Sequence, residues 1–160
     1  MNNRSINIRE ITQNDSELLV EFYTSLSDET WYFFHPHPRD PENLINLVHS
    51  LPERSDLALF MASIQEAEKE IMIGTVFFWD WTKQVPWFGI CARDGWQGQG
   101  LGDRMTAHAV EYAWQHGKGG ILLTTHKENF RGQGLYTKHG FETIGIDPHD
   151  EWLMILRRSA

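Results

Sequence analysis

Apolar residues in the first third of the chain predict one strand followed by two helices. Residues 6–8 alternate between apolar and polar side chains, as in a short strand. The next segment has apolar residues at helical spacing, and Asn14 with Glu17 matches a capping box at its start. A second helix is predicted for residues 41–51, because Asp40 suits the cap and proline suits the first helical position.

The segment between these helices, residues 31–38, is aromatic and proline-rich and reads Trp-Tyr-Phe-Phe-His-Pro-His-Pro. Its prolines predict an irregular loop, since proline disrupts regular hydrogen bonding. His35 and His37 have no clustered carboxylates beside them, so we expect exposed loop histidines and no metal site.

The rest of the chain predicts six strands and two helices. Runs rich in β-branched and aromatic residues predict strands at residues 57–64, 71–81, 87–92, 121–125, 141–146 and 152–156. Helical spacing followed by glycine predicts helices at residues 101–116 and 129–139. The resulting order implies an α+β domain of the α/β type, in which about four helices flank a mixed sheet of about seven strands.

Length and composition indicate one ordinary globular domain covering residues 1–160. Apolar residues make up 41% of the chain and charged residues 22%, which excludes a disordered or fibrous class. No linker, repeat or low-complexity segment interrupts it. A chain of this size can form a single core.

Net charge and cysteine content further restrict the classes of function that fit this chain. A net charge of -8 argues against nucleic-acid binding, which needs basic patches, and favours a cationic acceptor such as an amine. The single cysteine, Cys91, excludes an internal disulfide and fits a reducing compartment. No signal peptide or membrane span is indicated, so we expect a cytoplasmic protein that does not associate with membranes.

A glycine-rich segment, residues 97–102, follows a predicted strand and opens a predicted helix. Its sequence is Gln-Gly-Gln-Gly-Leu-Gly, and free N–H groups at a helix start attract anions. The glycines alone are equally compatible with a tight turn that binds nothing. The spacing matches neither a P-loop nor a Rossmann fingerprint.

Two motifs carry a family resemblance. Gln97-x-x-Gly100-x-Gly102 resembles the Gln/Arg-x-x-Gly-x-Gly/Ala signature of the GNAT superfamily of acetyltransferases. Asn129, followed by Leu-Tyr-x-Lys-x-Gly-Phe over residues 135–141, resembles the second marker of that superfamily. The resemblance implies a GNAT-like fold with a mostly antiparallel central sheet, and acetyl-coenzyme A as the co-substrate without a metal.

The resemblance also implies which residues hold acetyl-coenzyme A. The strand before the glycine loop would offer its backbone to the pantetheine arm, and the following strand would splay away from it. Asn129 would cap its helix and contact the cofactor. The implied cofactor-binding residues are Ile90, Cys91, Ala92, Gln97, Gly98, Gln99, Gly100, Leu101, Gly102, Asp103, Asn129 and Tyr136. Cys91 is expected to be a wall residue and not a nucleophile.

Tyr136 matches the position at which family members keep a tyrosine that hydrogen-bonds the coenzyme A sulfur. A phenol with a pKa of about 10 can donate a proton to a departing thiolate with a pKa of about 8.5. The alternative is a half-buried aromatic residue on the inner face of the helix. Gly132 and Gly134 depart from the family pattern and cost the helix about 1 kcal/mol each, which predicts a mobile segment.

The general base is not evident from the sequence. Family members often carry a glutamate where this chain has Gln84, Trp87 or Thr124. Asp80 and His126, each near the end of a predicted strand, are the candidate substitutes, and either could equally be a surface residue.

These features predict an N-acetyltransferase that moves the acetyl group to a small primary amine by direct transfer in a ternary complex. The aromatic residues 31–34 form either core or a wall of the acceptor pocket. A protein or peptide acceptor, a non-catalytic acyl-coenzyme A sensor that lost its glutamate, and another phosphate ligand such as a nucleotide stay open as alternatives. A homodimer also stays open.

Overall fold

The structure is a computed structural model that describes residues 4–34 and 36–160, in which seven strands and five α-helices are found. The strands are β1 (Asn7–Glu10), β2 (Ala58–Glu66), β3 (Lys69–Trp79), β4 (Trp87–Ala92), β5 (Gly120–Thr125), β6 (Glu142–Ile146) and β7 (Trp152–Arg157). The helices are α1 (Ser16–Ser25), α2 (Asp28–Phe33), α3 (Pro41–Ser50), α4 (Leu101–Gln115) and α5 (Phe130–Lys138), with a short 3-10 helix at Leu51–Glu53.

The strands form one sheet in the order β1-β2-β3-β4-β5-β7-β6. Every neighbouring pair is antiparallel except β4 and β5, which run parallel. The predicted α+β fold with a mostly antiparallel sheet of seven strands is therefore confirmed.

Helix α2 corrects the sequence prediction for the aromatic segment and raises the helix count from four to five. Ser27 caps this helix by accepting a hydrogen bond from the Thr30 N–H at 3.2 Å, so the helix is complete before Pro36. His37 is half-buried against the Tyr23 ring at 5.0 Å, where burial lowers its pKa, and is not the exposed residue we expected. His35 lies outside the described residues.

The two predicted helix caps differ in outcome. Asp40 caps α3 as predicted, because its carboxylate accepts a hydrogen bond from the Asn43 N–H at 3.2 Å. The predicted capping box of α1 is wrong, since the residue at its cap is Asp15 and no side chain caps the helix.

Two hydrophobic cores lie on opposite faces of the sheet, because successive strand residues point in opposite directions. On β2, Phe60 and Ala62 pack in the core that includes α4 and the Tyr136 side of α5. Leu59 and Met61 pack in the core that includes α1 and α3. The sheet thus separates α4 and α5 from α1 and α3.

Strands β4 and β5 open a wedge in the centre of the sheet. Among the described residues they are paired at one position, Trp87 with Leu122, near the start of both strands. The Leu122 N–H also donates to the Pro86 carbonyl at 3.0 Å at this end. No pairing holds them together toward Ala92 and Thr125 within the described chain, so the splayed strands that the resemblance implied are present.

A buried carboxylate, Asp15, joins β1 to the start of α1. Its side chain is 8% exposed and accepts two hydrogen bonds of 2.8 Å from Arg9, which lower its pKa, and one of 2.7 Å from the Thr12 N–H. A lowered pKa means that the stabilisation exists above the unfolded value near 3.9 and disappears as the pH falls through the folded value.

We expect Asp15→Asn to lower the free energy of unfolding by about 2 kcal/mol at neutral pH, because a charge-assisted pair is lost. The gap to the wild type should begin to narrow below about pH 4, the unfolded value, and should close only as the pH falls through the lowered pKa of the folded protein. Urea titrations from pH 3 to pH 7 measure both. Asp56→Asn removes the more exposed pair with Arg54 and serves as the control with a much smaller loss. A difference that does not vary with pH would contradict the assignment.

Candidate active site

A cavity of about 750 Å³ fills the wedge between β4 and β5. Helix α4 lines it with its N-terminal end, α5 lines it along most of its length, and α2 borders the mouth. The lining includes backbone and side chains of Phe88, Gly89, Ile90, Cys91, Ala92, Gln97, Gly98, Gly100, Gly102, Asp103, Thr124, Thr125, Asn129 and Tyr136. Every predicted cofactor residue lines it except Gln99 and Leu101.

The glycine turn presents open backbone to the cavity. Gly98 and Gly100 adopt left-handed backbone with φ of 72° and 85°, and a Cβ at either position would meet nothing within 4 Å. The Arg104 N–H donates to the Gly100 carbonyl at 3.2 Å and begins the helical pattern of α4. Amides that precede it, such as that of Gly102, lack an intrahelical acceptor and suit an anion.

The Gln97 side chain fixes the glycine turn between two helices. Its amide donates to the Thr30 hydroxyl of α2 and to the Ala92 carbonyl, each at 3.2 Å. Its oxygen accepts a hydrogen bond from Arg131 of α5. Gln97 therefore positions both the turn and the Arg131 side chain. Arg131 is a cation on the cavity lining that was not predicted from the sequence, although it stands two residues after Asn129.

Gln99 and Leu101 serve the turn and the core instead of the cavity. The Gln99 amide donates to the Gly95 carbonyl at 2.6 Å, and Leu101 is buried in the core beneath α4. Asp103 lies on the cavity rim, where hydrogen bonds from Lys138 at 2.9 Å and His139 at 3.0 Å lower its pKa. These partners neutralise a carboxylate that would otherwise repel an anion at the glycine turn.

Asn129 caps α5 and ties it to β5. Its side-chain oxygen accepts a hydrogen bond from the Gly132 N–H at 3.1 Å, and its amide donates to the Thr125 hydroxyl at 3.2 Å. A Cβ on Gly132 would lie 2.5 Å from the Asn129 amide nitrogen, whereas one on Gly134 would meet nothing within 4 Å. A side chain at position 132 would therefore have to displace the capping side chain of Asn129.

This contrast gives opposite expectations for two alanine substitutions in one helix. Gly132→Ala should destabilise the protein by about 1 kcal/mol or more, because the new methyl group displaces the capping side chain. Gly134→Ala should stabilise it by up to about 1 kcal/mol, because alanine favours the helix. Urea titrations of both variants measure the difference. Equal changes in the two would show that the Asn129 contact does not restrict position 132.

Tyr136 stands at the inner end of the cavity, and its side chain is buried between Phe88 and Phe141 with ring centroids 6.2 and 5.9 Å away. Burial, followed by the nearby Cys91, raises the pKa of its phenol. The hydroxyl therefore stays protonated at neutral pH and can donate. Burial also raises the pKa of the Cys91 thiol, which keeps it neutral and suits a wall residue.

The two candidate bases lie in different surroundings. Asp80 forms an exposed ion pair with Lys83 at 2.9 Å, directly after the β3 residue that pairs with Trp87. Because Trp87 is at the closed end of the wedge, the structure gives Asp80 no route to the open end. His126 follows Thr125, which lines the cavity.

His126 is enclosed by α2 and by the turn before β7. Its ring lies 4.9 Å from the Tyr32 ring and 5.6 Å from the Phe33 ring, and Phe33 itself lines the cavity. Its Nε2 atom is 3.2 Å from Oε1 of Glu151. Glu151 could not be predicted as a partner of His126, because it is 25 residues away along the chain and reaches His126 only through the pairing of β5 with β7.

Neither a metal cluster nor a membrane helix is present in the part of the chain that the structure describes. No group of three or more His, Cys, Asp or Glu side chains is placed to hold a metal ion among residues 4–34 and 36–160. Of the described helices, none combines the length and apolar character needed to cross a bilayer.

Solved structures share this fold at low sequence identity. A ribosomal-protein-S5-alanine acetyltransferase from Vibrio fischeri matches with a TM-score of 0.85 at 14% identity, covering 98% of this chain and 95% of that one. A PaiA N-acetyltransferase from Thermoplasma acidophilum, in complex with coenzyme A, matches with 0.77 at 17%, covering 96% and 99%. A spermidine N-acetyltransferase chimera from Vibrio cholerae matches with 0.75 at 18%, covering 95% of both chains.

Sequence comparison identifies the family of the chain. No curated protein sequence matches the chain significantly. The family model of the acetyltransferase (GNAT) domain matches residues 5–142, which include both motifs and the whole cavity lining. The chain therefore belongs to the GNAT acetyltransferase family.

Proposed function

We propose that this protein transfers an acetyl group from acetyl-coenzyme A to a small primary amine by direct transfer. The observation that carries the proposal is the path of one cavity, which runs from the open amides of the glycine turn to the buried Tyr136 hydroxyl. An elongated molecule with a pyrophosphate at one end and a thioester at the other fits this path. The names of structural neighbours, which include N-acetyltransferases and a coenzyme A complex, support it.

The residues along the cavity fit the parts of coenzyme A in order. The turn at Gly98 and Gly100 would hold the pyrophosphate, aided by Arg131, since backbone N–H groups and a guanidinium both favour phosphate oxygens. The backbone of β4 at Ile90 and Ala92 would pair with the amides of the pantetheine arm. When bound, acetyl-coenzyme A supplies an acetyl group activated as a thioester.

The protein contributes a proton donor, a fixed orientation and a dry wall. Tyr136 keeps its proton at neutral pH and donates it through a hydrogen bond to the departing sulfur, which stabilises the negative charge that develops as the C–S bond breaks. The proton that the amine loses restores the phenol. Asn129 fixes the first turn of α5 and thereby the position of Tyr136, seven residues later. The rings of Phe88 and Phe34 exclude water from the inner end.

His126 is the base that we favour, because it stands next to the cavity and Asp80 does not. We expect His126→Gln to lower kcat/KM for the amine by about 30-fold while the Kd for acetyl-coenzyme A stays unchanged. Asp80→Asn, the matched control, should change kcat/KM by less than about two-fold. Steady-state release of coenzyme A and calorimetry measure these values. Equal losses in both variants would remove His126 from the mechanism.

A panel of acceptors tests the function as a whole. Polyamines, amino sugars, amino acids and peptides are each mixed with acetyl-coenzyme A, and release of the thiol is followed. Turnover of a small amine supports the proposal, and turnover of peptides alone would assign a protein acceptor, as the name of one neighbour says of that enzyme. Binding of acetyl-coenzyme A without any turnover would leave the sensor function, and preference for ATP would exclude both.

A further inference from the structure

The sheet face that carries α1 and α3 is covered unevenly. In the core beneath these helices, the buried strand residues come from β2, β3 and β4. On β5, Ile121 and Leu123 are buried toward α4, so the alternating Leu122 points to the opposite face, where it is half-buried. The half of this face formed by β5 and β7 therefore extends beyond the described core of α1 and α3.

Most side chains on this part of the face are apolar, and the polar exceptions include Thr124 and Glu142. Leu122 is paired with Ile155 across the strands, and Thr124 is paired with Leu153. Trp87 pairs with Leu122 and points to the same face, because its neighbour Phe88 is buried on the other side. We call the half-buried residues Trp87, Leu122, Leu153 and Ile155 the apolar floor.

Thr124 and Phe33 connect the apolar floor to the cavity. Thr124 lines the cavity and is paired with Leu153 of the floor. Phe33 lines the cavity and packs against His126, whose other ring neighbour is Tyr32. The floor thus adjoins the cavity at Thr124 and lies next to the residues that line the cavity itself.

An exposed aromatic ring and a closed ion pair border the floor. The Tyr32 residue is 54% exposed although it packs on His126, so one side of its ring is free to contact another molecule. His126 and Glu151 pair with each other, and none of the four floor side chains carries a charge. The carboxylate opposite Ile155 on β6, that of Glu142, is also paired, with Arg157, so a second ammonium group lying on the floor would meet no unpaired carboxylate of the described residues there.

We propose that the acceptor is a primary amine with a single positive charge and an apolar group, aromatic or aliphatic, which lies on the apolar floor and against Tyr32. The proposal rests on the proposed function, since it names the substrate class of the same site. Glu29 and Glu128 at the cavity mouth would attract the ammonium group, and the apolar group would be removed from water on the floor.

Competition between matched amines tests the proposal. We expect kcat/KM for 2-phenylethylamine to exceed that for ethanolamine and for spermidine by at least about 10-fold. Leu153→Gln and Tyr32→Ala should each lower the ratio of kcat/KM for 2-phenylethylamine to kcat/KM for ethanolamine by about 10-fold, because a change at His126 would affect both amines. Ile45→Gln, which alters an exposed apolar residue of α3, is the control and should leave this ratio unchanged. A preference for spermidine, or equal losses for all amines, would overturn the proposal.

Calorimetry with the coenzyme A complex separates this proposal from the proposed function. Binding of 2-phenylethylamine that Leu153→Gln weakens supports the apolar floor, even if no acetyl group is transferred and the proposed function fails. Absence of binding overturns the floor, even if another amine is acetylated. Light scattering tests whether a second copy of the chain occupies the floor. A wild-type dimer that Leu153→Gln converts to a monomer would assign the floor to that second copy and overturn the proposal.

Discussion

Tyr136→Phe is expected to lower kcat about 100-fold or more, because the variant keeps the ring and removes only the hydroxyl that donates the proton. The ring fills the space between Phe88 and Phe141, so the core around it should be unaffected. The Kd for acetyl-coenzyme A should stay within about two-fold, since the glycine turn is distant along the chain and untouched. Steady-state kinetics with the best amine of the panel and calorimetry with acetyl-coenzyme A measure the two quantities.

Tyr23 offers a matched control for this substitution. It is also a buried tyrosine whose pKa is raised by burial and then by Cys91, but it lies on α1 and packs against Trp31 and Phe34. Tyr23→Phe should therefore leave kcat nearly unchanged. A large fall in both variants would indicate that a buried hydroxyl near Cys91 matters for packing, and a small fall in Tyr136→Phe would remove the proton donor from the mechanism.

Most strands and helices could be predicted from the sequence, because the periodicity of apolar residues that marks them depends only on residues close together in the chain. The β4 prediction matches its observed bounds, and α4 and α5 differ from prediction only at their ends. Helix α2 was missed because its six residues end before the prolines that dominated the prediction. Its cap depends on Asp94, whose carboxylate accepts from the Ser27 N–H at 2.8 Å across the fold.

For a related reason, the candidate residues for the acetyl donor could be predicted from the sequence, whereas those for the amine acceptor could not. The glycine turn, Asn129 and Tyr136 belong to two short continuous motifs, and the spacing within each motif can be read from one sequence. The pair formed by His126 and Glu151, and the apolar floor, arise from strands that meet only after folding. Asp80 looked equivalent to His126 in sequence, since only the parallel pairing of β4 and β5 shows which end of the wedge is open.

The glycine turn has two alternative roles, an anion-binding site or a tight turn that binds nothing. A tight turn that binds nothing would need positive φ at Gly98 and Gly100 just as an anion site does, so conformation alone does not distinguish them. Their place on the cavity lining and the empty space beside each Cβ position favour an anion site. The two roles can be distinguished by comparing two glycines that have similar backbone strain, one on the cavity lining and one outside it.

Gly98→Ala is expected to raise the Kd for coenzyme A about 30-fold, because a methyl group would stand between the phosphate oxygens and the open amides. The same change at Gly117, which has φ of 74° and also faces open space, costs a similar backbone strain of about 1 kcal/mol. Gly117 ends α4 and does not line the cavity, so its variant should bind coenzyme A like the wild type. Calorimetry gives the two Kd values, and urea titration shows whether the strain is matched. Equal loss of affinity in both variants would mean that strain, and not contact with the pyrophosphate, explains the need for glycine in the turn.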